Sequence, residues 1–162
     1  MSDFEAPISR WREKILPEWT DYNGHMNVAY FTLIFDHATD VFYPLVGLGK
    51  PYRERTGKST FAVECHISYL REASVGDEVE VTTQLLGFDE KRLHYFHTMS
   101  NVEKGFQMAT LEQLAVHVDL SKRKVEPLPD EPRRLLAEMM EAHSALPRPP
   151  QVGSVMALRP KR

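Results

Sequence analysis

The chain lacks the features that mark secreted, membrane-spanning and nucleic-acid-binding proteins. Its 162 residues include a single cysteine, Cys65, so no internal disulfide can form, which fits a reducing compartment. The N-terminus has no basic stretch followed by an apolar one, so we expect no secretory signal. The longest apolar run, residues 28–46, is interrupted by Asp36, His37 and Asp40 and predicts a buried helix, not a membrane span. A net charge of −3 argues against nucleic acid as the main partner, and we expect a cytoplasmic protein.

Metal-ligand spacing is also missing. The seven histidines show no ligand pattern, and His94 and His97 lie three apart on a predicted strand, where their side chains point to opposite faces. Cys65 falls on the apolar face of another predicted strand, which is typical of an inert small hydrophobe. We therefore expect neither a metal site nor a cysteine nucleophile.

The hydrophobic pattern predicts one domain over residues 1–145 and a proline-rich, flexible tail over 146–162. A short first strand is expected within residues 10–19, and Asn27 is a favoured N-cap for a helix over 28–43. Residues 50–58 are read as a polar loop. Four strands with period-two alternation follow, joined by short turns, and residues 127–143 form a closing helical element.

This element order predicts an α+β fold in which an antiparallel sheet wraps around one long central helix. Short connections favour antiparallel neighbours, and a helix that is apolar nearly all round must be enclosed. In the strand after the loop, alternation places Phe61, Val63 and Cys65 on the face toward the helix, whereas Glu64 and His66 point away from it.

The segment that enters the central helix carries the most chemistry. Residues 21–27 read Asp-Tyr-Asn-Gly-His-Met-Asn, so a carboxylate stands beside a helix start whose free N–H groups and dipole attract an oxyanion. A carboxylate in that position can act on a carbonyl group that the N–H groups polarise, which is the outline of acyl transfer. The plain alternative is that Asp21 only satisfies backbone donors of a turn.

The same residues carry a family resemblance. A segment of the form Asp-x-x-Gly-His-x-Asn at the start of the central helix resembles the hotdog-fold thioesterases of the 4-hydroxybenzoyl-CoA thioesterase type, and the likeness covers roughly residues 10–129. The turn at residues 73–79, Ala-Ser-Val-Gly-Asp-Glu-Val, also looks like one in that family. The resemblance implies that Asp21 is catalytic, that the sites lie between subunits of a homodimer or a dimer of dimers, and that no cofactor is needed beyond the CoA of the substrate.

A narrower resemblance links residues 18–26, 63–66 and 82–97 to betainyl-CoA thioesterases of carnitine breakdown, some of which are fused to an L-carnitine dehydrogenase. It implies hydrolysis of betainyl-CoA to glycine betaine and CoA. Glu64 is then a candidate for offsetting the trimethylammonium charge, with aromatic faces adding cation–π attraction. The residues expected to bind substrate are Asn23, Gly24, His25, Met26, Asn27 and Glu64.

Several alternatives remain open on the sequence alone. Asp21 either attacks the thioester as a nucleophile or activates a water molecule. The same residues would also suit an enoyl-CoA hydratase or dehydratase of the hotdog fold, or a non-catalytic acyl-CoA-binding module. Four basic residues are candidates for contacts with the CoA phosphates: Lys58, Arg71, Lys91 and Arg92. Each of them is equally consistent with an ordinary surface charge.

Overall fold

The computed structural model describes residues 3–158. Its three helices are α1 (Val28–Phe42), α2 (Lys50–Thr56) and α3 (Asp130–His143), and a single 3₁₀ turn, Pro17–Trp19, precedes α1. Its strands are β1 (Ile8–Lys14), β2 (Lys58–Tyr69), β3 (Glu78–Phe88), β4 (Arg92–Asn101), β5 (Gln107–Asp119) and β6 (Lys124–Val125). The predicted order of strand, long helix and four further strands is confirmed.

The strands form one antiparallel sheet in the order β1-β3-β4-β5-β2, with the short β6 paired to β5. Both β1 and β2 are therefore edge strands. Helix α1 lies across the inner face of the sheet and buries one side, with Phe31, Ile34, Phe35, Ala38 and Phe42 in the core. The α+β fold with a sheet curled around a central helix is confirmed.

Helix α1 is not enclosed on all sides within one chain. Val28, which the periodicity assigns to the apolar face, is 57% exposed, and Leu33 is also exposed. Asp36 and Asp40 lie on the same open side, and burial together with the charge of Asp40 raises the pKa of Asp36 above its usual range. The apolar circumference of the helix thus exceeds what one sheet covers.

The polar loop expected at residues 50–58 is wrong, because α2 occupies most of it. Pro51 stands in the first turn, where its missing N–H costs nothing, and Gly57 ends the helix with a φ of +69°. A seven-residue helix bounded by proline and glycine leaves little periodicity in the sequence. The polar composition of residues 50–58 therefore predicts a loop where the structure has a helix.

A β-bulge in β2 corrects the predicted strand faces. Ala62 pairs with Ala115 and Glu64 with Leu114, so Val63 is an extra residue without a partner on β5. Beyond the bulge the alternation restarts, with Cys65 and Ile67 on the inner face and Glu64 and His66 on the outer face, as predicted. Before it the order is reversed, and Phe61 lies on the outer face opposite Val116, contrary to the prediction.

A buried polar network lies between α1 and the sheet. His97 is fully buried, with its Nε2 2.8 Å from Oγ1 of Thr39 and its Nδ1 2.8 Å from Oγ1 of Thr83. The Thr39 hydroxyl proton goes to the carbonyl of Phe35, so Nε2 must carry the ring hydrogen and Nδ1 must accept from Thr83. Burial lowers the pKa of His97 to about 3, which keeps the ring neutral.

The segment after α3 crosses the outer face of the sheet. Gln84 on β3 donates to the carbonyl of Pro147 over 3.3 Å, and the backbone N–H of Gly153 donates to Oε1 of Glu112 on β5 over 2.7 Å. Phe96 and Thr110 point outward from the sheet yet are buried. The division at residue 145 and the flexibility of the tail stay predictions.

Candidate active site

A tight loop before α1 holds the predicted site. Thr20 and Met26 form an isolated antiparallel bridge, the N–H of Asp21 donates to the carbonyl of His25 over 3.0 Å, and that of Gly24 donates to the carbonyl of Asp21 over 3.0 Å. Gly24 has a φ of +78°, a left-handed conformation that glycine adopts without steric cost. The loop thereby brings Asp21 next to the first turn of α1.

The Asp21 carboxylate is only partly engaged. Its Oδ1 accepts a hydrogen bond from the N–H of Asn23 over 2.8 Å. Asp21 therefore does satisfy a backbone donor of the turn, as the plain alternative proposed, but it uses only one carboxylate oxygen to do so. Across residues 3–158, no hydrogen bond engages Oδ2. The side chain is exposed, and one oxygen remains available to a substrate or a water molecule.

Asn27 is the N-cap of α1, as predicted. Its Oδ1 accepts from the N–H of Ala29 over 3.0 Å, while its own N–H donates to the carbonyl of Trp19 over 2.9 Å. The cap therefore uses one of the free donors of the helix start. Asn27 orders the entry to the helix and positions the Asp21 loop.

The loop also narrows the choice of oxyanion donors. The N–H groups of Asn23, Gly24 and Met26 are already bonded within the protein, the last to the carbonyl of Ala73 over 2.8 Å. Within the described part of the chain, the N–H groups of Tyr22, His25 and Val28 have no such acceptor. These three groups, two in the loop and one at the helix start, are the candidate donors for a developing oxyanion.

His25 is oriented by a residue that the sequence analysis missed. Its Nε2 lies 3.1 Å from Oε2 of Glu72, in the segment that follows β2, and His25 also bridges Ser74. No hydrogen bond joins His25 to the Asp21 carboxylate in residues 3–158. One feature of the sequence pointed to Glu72. It lies just before the turn at residues 73–79, which resembles a turn of the thioesterase family.

The aromatic residues near the loop divide into buried and open ones. Trp19 is buried and stacks on Tyr30 with ring centroids 5.5 Å apart, which is core packing. Tyr69, at the end of β2, meets the ring of Phe31 edge-on and is half exposed, and Tyr22 is 97% exposed. Tyr22, which follows Asp21 in the chain, and Tyr69, which contacts the first turn of α1, therefore present free ring surface.

Glu64 lies apart from this loop within one chain. Tyr69 marks the end of β2 nearest the start of α1, and Glu64 is five residues earlier, a distance of roughly 16 Å along a strand. Glu64 faces outward and lines a cavity of about 500 Å³ together with His66, His94 and Glu112. Its role in substrate binding stays a prediction that requires a contribution from a second subunit.

The cationic candidates differ in how far they are already paired. Lys58 lies 2.9 Å from Glu126, whose hydrogen bond raises the pKa of the lysine, and Arg92 is paired with Asp89. Arg71 lies over the ring of Phe106, with its guanidinium carbon 4.6 Å from the centroid. Of these three cations, Arg71 alone has no carboxylate partner within residues 3–158, so its charge is the least committed.

His94 and His97 point to opposite faces of the sheet, as predicted. His94 lies on the outer face, 2.7 Å from Glu112, whereas His97 is buried on the inner face. Within residues 3–158, no cluster of three or more histidine, cysteine or acidic side chains has the arrangement of a metal site. The same residues contain no helix that is both long and apolar enough to span a membrane.

Comparison with known proteins decides the family. The profile of the thioesterase-like superfamily matches residues 15–141. This chain belongs to that superfamily. The sequence is also 41% identical over 155 residues to a betainyl-CoA thioesterase of Pseudomonas aeruginosa, with 96% of this chain and 98% of the relative covered.

Other relatives extend the comparison. The chain is 35% identical over 151 residues to the L-carnitine dehydrogenase/betainyl-CoA thioesterase of Rhizobium meliloti, covering 93% of this chain but 30% of that longer protein. A Staphylococcus aureus protein solved in complex with CoA superposes with a TM-score of 0.87 at 27% identity, covering 98% of this chain and all of the other. The predicted thioesterase is confirmed, and neither the hydratase nor the non-catalytic alternative is favoured.

Proposed function

We propose that this thioesterase hydrolyses betainyl-CoA to glycine betaine and CoA in the breakdown of carnitine. The observation that carries the chemistry is the Asp21 carboxylate, whose uncommitted oxygen lies at the start of α1 beside unused backbone N–H groups. The 41% identity to a betainyl-CoA thioesterase over nearly the whole of both chains supports betainyl as the acyl group of the substrate.

The reaction adds water across the thioester bond. A water oxygen bonds to the carbonyl carbon, the carbon–sulfur bond breaks, and the sulfur leaves with a proton as the CoA thiol. Asp21 either takes the proton of that water or first forms an anhydride that water then opens. In both routes donors among the N–H groups of Tyr22, His25 and Val28 stabilise the negative charge on the carbonyl oxygen.

The trimethylammonium group constrains where its binding residues lie. Its nitrogen is only two bonds from the carbonyl carbon, so the groups that recognise it must surround the Asp21 loop. Tyr22 and Tyr69 offer ring faces there, and Glu72 offers a carboxylate. Glu64 contributes only where the partner's β2 brings it to this loop.

The working form is a homodimer or a dimer of dimers in the cytoplasm. Strand β2 is an open edge whose unpaired backbone groups suit pairing with a second copy, and Phe61, Val63 and Tyr69 are exposed along it. The single, unpaired cysteine fits a reducing compartment, and we assign no cofactor apart from the CoA carried by the substrate.

Thiol release from a panel of CoA esters tests this proposal. The panel contains betainyl-CoA together with acetyl, short-chain, long-chain and aromatic esters, and a chromogenic disulfide detects the free CoA. We expect kcat/KM for betainyl-CoA to exceed that for each other ester by at least tenfold. Turnover of other esters alone would reject the betainyl group but keep the thioesterase, and an absence of turnover with CoA esters still bound would reject hydrolysis.

A further inference from the structure

The segment after α3 follows a defined path across the outer face of the sheet. We name residues 147–158 the C-terminal strap. It begins over β3, where Pro147 accepts from Gln84, and passes over Phe96 on β4. It then reaches β5, where the Gly153 N–H is held by Glu112. The strap thus crosses the strands in their order within the sheet, toward the β2 edge.

The strap reaches β2 and continues beyond its last contact. Gly153 and Ser154 line the same cavity as Glu64 and His66, so the strap approaches β2 at this point. The next residues include three large apolar side chains, and all are exposed: Val155, Met156 (89%) and Leu158. Within residues 3–158, these apolar side chains follow an anchored segment near an open sheet edge and have no partner surface.

A matching apolar surface exists on the same face of the sheet, near the other end of β2. Phe61 and Val125, both about half exposed, combine with Val118 and Leu120 to form the apolar part of a groove of about 460 Å³, whose remaining lining residues are Asp119, Arg123 and Lys124. We name this the Phe61 groove. Within one chain the strap shares a cavity with Glu64 and His66, which lie about 10 Å and 16 Å along β2 from Phe61, and no described strap residue lines the groove.

Antiparallel pairing of two β2 strands brings the strap and the groove together. Pairing about the midpoint of β2 sets His66 of one copy opposite Phe61 of the other. The strap approaches β2 at the cavity that His66 lines, and its four residues 155–158 extend about 13 Å, enough to cross two strands spaced about 4.8 Å apart. We propose that the strap of each subunit crosses the dimer seam and packs Val155, Met156 and Leu158 into the Phe61 groove of a second copy of this chain.

This inference rests on the dimer of the proposed function, and it adds a reciprocal exchange of C-terminal segments on the face opposite α1. The bulge at Val63 is part of the arrangement. It turns Phe61 to the outer face, where a strap can reach it, whereas regular alternation would have turned it toward the helix.

Disulfide trapping between two different variants tests the exchange. One protein carries Met156→Cys and the other Phe61→Cys, both in a Cys65→Ser background, and the two are mixed under conditions that exchange subunits before mild oxidation. We expect a covalent heterodimer on a non-reducing gel. Glu141→Cys, on an exposed position of α3, replaces Phe61→Cys in the matched control and should give no product with Met156→Cys.

The possible outcomes distinguish a failure of the strap exchange from a failure of dimer formation and from a failure of the proposed reaction. A monomer in sedimentation of the unmodified protein would overturn both the dimer and the strap exchange. A dimer that gives no heterodimer cross-link, while a single chain carrying both cysteines closes an intramolecular disulfide, would overturn the exchange alone. Thiol release from betainyl-CoA is measured separately, so a failure of the strap exchange is distinguishable from a failure of the reaction.

Substitution gives an independent measurement. The combined change Val155→Ser, Met156→Ser and Leu158→Ser should raise the dimer dissociation constant about tenfold or more, because apolar area returns to water. Phe61→Ser should do the same, and combining both sets should add little, since they remove one contact from two sides. Fully additive effects would show that the strap and the groove do not meet.

Discussion

Two groups of polar side chains lie along α1 under opposite conditions. At the start of the helix, the Asp21 carboxylate is exposed and uses one of its two oxygens. Near the middle, His97 is fully buried and both of its ring nitrogens are paired with threonine hydroxyls. The second group is buried with both ring nitrogens already paired and stabilises the fold, whereas the first is exposed and retains capacity for chemistry because its pairing is incomplete.

The sharpest test of this contrast is Asp21→Asn. The amide keeps the shape and can accept from the Asn23 N–H, but it neither attacks a thioester nor takes a proton from water. We expect kcat to fall by about 10²–10⁴-fold with the melting temperature unchanged. Steady-state thiol release and thermal unfolding measure the two effects, and a variant that turns over at the rate of the unmodified enzyme would remove Asp21 from the mechanism.

The buried group should dominate the acid sensitivity of the fold. Burial lowers the pKa of His97 to about 3, so between pH 6.5 and 3 the unfolded chain binds a proton that the folded chain does not. Its contribution to stability is complete above pH 6.5 and declines by about 1.4 kcal/mol per pH unit below it. Denaturant unfolding across this range should show a shallower slope for His97→Gln, which is also less stable at pH 7.

Thr83→Val should cost stability without costing activity. It removes the hydroxyl that donates to Nδ1 of His97 and leaves a buried acceptor unpaired, so we expect a loss of about 1–3 kcal/mol in the free energy of unfolding. Thr82→Val, one residue away on the outer face, is the matched control. Equal losses for both variants would show that the hydrogen bond has no special role.

The smallest effect is expected for Glu72→Gln. The change weakens the ion pair with His25 at an exposed position, so we expect kcat/KM to fall by only a few-fold and the fold to be unaffected. Steady-state thiol release from the two proteins at the same pH provides the readout. A kcat/KM identical to that of the unmodified enzyme would leave Glu72 with no part in the site.

The contrast between the two groups also explains what the sequence can predict. The sequence predicts the Asp21 loop because its residues are consecutive. The N-cap Asn27, the turn glycine Gly24 and the helical period all indicate the same local structure. The sequence does not predict the buried hydrogen bonds of His97, because its partners Thr39 and Thr83 come from distant parts of the chain. Glu72 meets His25 only after β2 has folded, and the short α2 between proline and glycine carries too few turns for a period.

The Val63 bulge has a consequence for comparing sequences within this superfamily. In a relative that lacks the extra residue, the residues aligned with Ala62 and Glu64 are consecutive, so a residue aligned with Phe61 across a one-residue gap still faces outward. An alignment without that gap shifts the residues before position 63 by one and assigns each of them to the opposite face. Roles assigned by alignment hold on both sides of position 63 only when the alignment keeps or omits that residue as the relative does.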